Sequence, residues 1–123
     1  MTSSILVFRW ILRIGFLLSL ILGVVLWTGH GTAYLRLHMW VGFLITFDLL
    51  LLVVLSFLSG VRPALPLISL IWAIALPVIG IAQLNIMPGS SHWVIQVVHV
   101  VFGLGAIGLG EVLSKKALLR QPS

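Results

Sequence analysis

The chain has 123 residues, 61% of them hydrophobic and 7% charged, a balance that excludes a water-soluble core inside a polar shell. Its net charge of +5 comes from basic residues at the ends of apolar runs, so it reads as topology signals and lipid headgroup contacts, with no nucleic acid as partner. No cysteine is present, which excludes disulfides, thiolate nucleophiles and iron–sulfur ligation.

A bilayer core about 30 Å thick takes roughly 20 apolar residues per helix. Four such helices are predicted, at about 8–28, 33–59, 64–84 and 91–114, in a single transmembrane domain over 1–123. In the first, Arg9 and Arg13 precede an apolar run from Ile14 to Trp27, as in a signal peptide, but no small-residue cleavage site follows. The segment is therefore expected to stay as a membrane anchor. It carries Gly15, Ser19 and Gly23 at four-residue intervals and ends in Thr28-Gly29-His30-Gly31-Thr32. The second bears Arg36 and His38 near its start and Asp48 near its middle, and Gly60-Val61-Arg62-Pro63 closes it. Pro77 inside the third is predicted to kink it and free the carbonyl of Ala73. A turn over Asn85-Ile86-Met87-Pro88-Gly89-Ser90-Ser91 follows, with Ser91 the expected N-cap of the fourth helix. There His92 and His99 lie seven apart and so share a face, with Gln96 between them and Gly103, Ala106 and Gly110 continuing the stripe. Glu111 stands one turn before Lys115, which predicts an intrahelical ion pair.

The short connections predict an all-α, integral membrane, up-down-up-down four-helix bundle. Arg9, Arg13, Arg62, Lys115, Lys116 and Arg120 fall on one side and Arg36 alone on the other. Both termini are therefore expected in the cytoplasm. Trp27, Trp40 and Trp93 fall near the outer boundary, where amphipathic rings are favoured.

An ionisable side chain in lipid is costly unless it faces the bundle interior or finds a partner, so the informative residues are few. All four histidines, His30, His38, His92 and His99, belong to the outer half. A pair of imidazoles from two helices can hold haem b, with small residues making room for the porphyrin; imidazole clusters also suit zinc or copper. The third reading is interfacial histidines hydrogen-bonded to loop carbonyls and water. Counted along the helices, His38 and His99 differ in depth by about six residues, near 9 Å, which tilt must absorb. Arg36 reads either as a clamp for a haem propionate or quinone oxygen or as an ordinary interfacial arginine. Asp48 is expected to hydrogen-bond a neighbouring helix, the other reading being a proton path.

Two fragments, His38-Met39-Trp40-Val41-Gly42 and His99-Val100-Val101-Phe102-Gly103, each set a glycine one turn after a histidine. With the four-span layout, they make the chain resemble the small four-helix b-type cytochromes of bacterial membranes. The resemblance implies haem b, an inner (plasma) membrane location, and electron exchange with quinone or another redox partner. It also implies His38 and His99 as axial ligands, with His92 and His30 as substitutes or second-site ligands and Gly42 and Gly103 as spacers. The usual di-haem members spread their histidines toward both membrane faces, whereas this chain has none in its cytoplasmic half; exchange near the outer face is the expectation. Two other readings stand beside it. One is an accessory or homo-oligomerising subunit held by its glycine faces, notably the Gly103 to Gly110 run, and the other is a zinc- or copper-binding membrane protein. No Ser-His-Asp set, phosphate loop or paired carboxylates support hydrolytic chemistry.

Overall fold

A computed structural model describes residues 1–122. Among them are four helices and no strand: α1 Thr2–Trp27, α2 Leu35–Leu58, α3 Ala64–Ala82 and α4 His92–Leu118, with short 3-10 turns Thr32–Tyr34 and Gly89–Ser91 ahead of α2 and α4. All four are long and apolar enough to cross a membrane. α1 starts earlier than its apolar run because Thr2–Val7 extend the helix beyond the segment that hydropathy marks. α4 likewise runs past position 114, and Lys115 and Lys116 occupy its last turn, where cations favour the helix dipole. Ser91 precedes α4 but makes no side-chain cap bond; the 3-10 turn there replaces the predicted cap. Pro77 lies inside a helix that remains continuous from Ala64 to Ala82.

Small residues decide how the helices meet. A Cβ added at Gly15 of α1 would stand 3.2 Å from Ile45 Cγ1 of α2, and one added at Gly110 of α4 would collide with the Leu12 side chain of α1. Gly105 of α4 is covered by the Trp72 indole of α3, which stacks on Phe102 with centroids 4.5 Å apart and donates its N–H to the Phe102 carbonyl at 2.8 Å. Leu12, Leu49, Leu113, Ala73 and Ala106 are fully buried between these contacts. The exterior is as apolar as the interior: Trp40, Leu58 and Ile71 are each about two-thirds exposed. Two buried serines fit because their hydroxyls donate to their own helices, Ser69 to the Leu65 carbonyl at 2.9 Å and Ser114 to the Gly110 carbonyl at 2.6 Å.

The end of α2 shows why a glycine follows it. Gly60 adopts φ +73°, its N–H donates to the Phe57 carbonyl, and the N–H of Val61 reaches back to the Ser56 carbonyl at 3.0 Å. That pairing is the Schellman closure, which needs a left-handed residue. At this end the amide of Gln121 donates to Ser59 Oγ at 3.0 Å, and Ser59 Oγ lies 3.2 Å from Met1 Sδ. The termini and the α2–α3 connection therefore gather at one end of the bundle, while the α1–α2 and α3–α4 connections share the other.

Candidate functional site

A cavity of about 390 Å³ opens among all four helices at the end away from the termini. α1 contributes Phe16, Ser19 and Gly23; α2 contributes His38, Met39 and Gly42; α3 contributes Pro77 and Gly80; α4 contributes His92, Gln96, His99 and Gly103. His38 and His99 meet here, with ring centroids 6.1 Å apart and planes inclined by 69°. The depth offset counted along the sequence is closed because α4 begins beyond α2: His99 lies seven residues into its helix and His38 three into its own. The two helix starts thus differ in height by about one turn.

Each of these rings sits over a glycine of an adjacent helix. A Cβ at Gly23 would approach His38 Cε1 to 3.4 Å, and one at Gly80 would approach His99 Cε1 to 3.0 Å. Nothing lies within 4 Å of a Cβ built at Gly42, and Gly103 faces only Phe16, at 3.8 Å. The expected spacer glycines do line the cavity, but Gly80 and Gly23 are the ones that touch the imidazoles. Gly80 escapes sequence reasoning because α3 carries no ionisable residue to draw attention to it. It is nonetheless the single glycine of that helix, three residues after Pro77, in an otherwise bulky sequence.

The two imidazoles differ in their polar surroundings. Ser19 Oγ and His38 Nδ1 are 3.5 Å apart, the outer edge of hydrogen-bond distance. His99 Nδ1 is enclosed and has no hydrogen-bond partner among the described residues. A buried ring nitrogen left without a protein partner is uncommon and calls for an explanation.

The other candidates fall elsewhere or play other parts. His92 lines the cavity, but its Nδ1 lies 3.3 Å from the Ile86 carbonyl, which matches the loop-carbonyl reading for this histidine. His30 is exposed in the turn after α1 and does not border the cavity. Arg36 borders a separate surface recess with Trp40 and Phe43; the structure does not bring it to the histidine pair. Among the described residues no group of three or more His, Cys, Asp or Glu side chains converges where it could hold a metal ion. Gly105, Ala106 and Gly110 are consumed in packing within the chain, so those positions of the glycine run offer no surface to a partner.

Two expectations about acidic groups are corrected. Glu111 does not pair with Lys115; it bridges α4 to α1, accepting from Arg9 Nη2 at 2.6 Å and from Arg13 Nε at 2.5 Å. Helix spacing alone could not reveal two arginines brought in from another helix. Arg13 also lies over the Trp10 ring, 4.8 Å from its centroid. Asp48 is only 2% exposed, yet its Oδ2 has no hydrogen-bond partner among the described residues, so the expected bond to a neighbouring helix is not made.

Comparison with protein-family models, with curated proteins and with solved structures finds no match to this chain.

Proposed function

We propose that the chain is an integral membrane protein of the bacterial inner-membrane type that binds haem b between His38 and His99 and carries electrons near the outer face. The observation that carries this reading is the histidine pair itself, two imidazoles from different helices facing each other inside an apolar cavity. Their 6.1 Å centroid separation is about what two metal–nitrogen bonds of about 2.0 Å and the two ring radii require. Zinc or copper would ask for three or four converging protein donors. Haem iron asks for two, because the porphyrin supplies the rest, and His38 and His99 would supply them, His92 being turned to the Ile86 carbonyl.

When bound, haem would supply one-electron chemistry. The residues of the chain would do the remaining work: His38 and His99 would hold the iron, Ser19, 3.5 Å from His38 Nδ1, would orient that ring, and Gly23 and Gly80 leave the imidazoles their space. Phe16, Met39 and Pro77 keep the walls apolar, which favours the less charged state of the centre. Gln96 and His92 give the cavity polar groups toward the loops, where a quinone or another redox partner would approach.

Orientation in the membrane rests on charge. Arg9, Arg13, Arg62, Lys115, Lys116 and Arg120 belong to the end that holds the termini, and Arg36 to the other, so the termini are assigned to the cytoplasm and the cavity to the outer side. The test is an absorption spectrum of the detergent-purified protein, oxidised and dithionite-reduced, with a haem count per chain. A sharp reduced alpha band with stoichiometric haem b supports the reading, and a colourless protein from haem-replete cells overturns it.

A further inference from the structure

Asp48 lies on the buried face of α2, three residues beyond Ile45, which lines the cavity. Its Oδ2 is enclosed without a hydrogen-bond partner, and so is the hydroxyl of Ser56, two turns farther along the same face and 1% exposed. Ser69 and Ser114, equally buried, satisfy their hydroxyls on their own backbones, whereas on α2 the Thr46 hydroxyl is likewise without a partner among the described residues. The ionisable side chains on the helices packed around it are few. α1 brings Arg9 and Arg13, both engaged by Glu111 of α4; α3 brings none; α4 adds His92, His99, Lys115 and Lys116; and α2 itself carries Arg36 and His38. Among the described residues none of them forms an ion pair with Asp48.

Enclosed without counter-ion or hydrogen bond, the carboxyl group has no partner among the described residues that fixes its protonation state, so its charge answers to the field of the bundle. By helical rise about 15 Å separates His38 from Asp48 along α2, a distance over which a unit charge is still felt in a low-dielectric interior. We propose that Asp48 takes up a proton when the haem held by His38 and His99 gains an electron. The electron comes from a one-electron donor at the outer end and adds one negative charge to the centre. The proton comes from solvent and converts the Asp48 carboxylate to the acid; oxidation returns both. The inference rests on the haem reading given above.

Its test is a redox titration of the purified haem protein across pH, with reduced-minus-oxidised infrared difference spectra in H₂O and D₂O. The expected result is a midpoint potential that falls as pH rises, with a shallower fall in Asp48→Asn at unchanged haem content and a retained fall in Asp48→Glu. A carboxylic C=O band should appear on reduction, shift in D₂O and vanish in Asp48→Asn. An unchanged pH slope in Asp48→Asn, or no such band in the wild type, overturns the proposal. If Asp48→Asn does not fold, Asp48→Glu decides: the band must move in frequency if it belongs to position 48, and an unmoved band, as from a haem propionate or Glu111, overturns the proposal. A protein with a haem spectrum but no carboxylic band sinks this inference and spares the haem reading, whereas a protein without haem overturns both.

Discussion

At the end that carries the termini, Glu111 answers Arg9 and Arg13 with short charged hydrogen bonds, whereas at the opposite end His38 and His99 face each other and His99 Nδ1 has no partner among the described residues. The first arrangement is complete within the chain and ties α4 to α1. The second is a set of donors around a space of about 390 Å³. The contrast teaches that polar side chains in this apolar bundle differ in completeness of partnership, and it is the incomplete imidazole pair on which the haem proposal rests.

The largest expected effect is at the incomplete end. His99→Ala or His38→Ala should abolish haem retention, read as loss of the Soret band in protein purified at wild-type yield, while His30→Ala leaves the band intact. Equal loss in His30→Ala would break the assignment of the site to the cavity. Gly80→Val comes next: a side chain there must push the His99 ring, whose Cε1 already lies 3.0 Å from an added Cβ, and haem content should fall strongly with the helical signal preserved. Ser19→Ala should weaken haem binding about tenfold, the lower range for loss of an orienting partner of a metal-bound histidine, and a haem titration of the stripped protein measures it.

The complete end should respond in the opposite sense. Glu111→Gln leaves Arg9 and Arg13 adjacent without a counter-charge and should lower the thermal midpoint in detergent by a few degrees, with the haem spectrum unmoved. A spectral change there would mean that the two ends are coupled. The smallest effect is expected for Ser69→Ala, whose hydroxyl bonds only to the Leu65 carbonyl of its own helix; its thermal midpoint should stay close to that of the wild type.

The four helices were legible because composition and hydropathy report directly on what solvent a segment tolerates. The His38–Gly42 and His99–Gly103 spacings were legible within single helices, and the structure sets all four residues around one cavity. What spacing cannot carry is the height of one helix against another, so the offset of His38 and His99 looked larger than it is. The same blindness concealed the arginine partners of Glu111, assigned Asp48 a bond it does not make, and passed over Gly80, whose importance comes entirely from the His99 ring that α4 lays against it.

The most direct measurement is an electron paramagnetic resonance spectrum of the oxidised purified protein. A low-spin signal of the bis-imidazole type, lost when either His38 or His99 is replaced by alanine, is expected if the two rings hold the iron. A high-spin signal, or a low-spin signal that survives both substitutions, would contradict it.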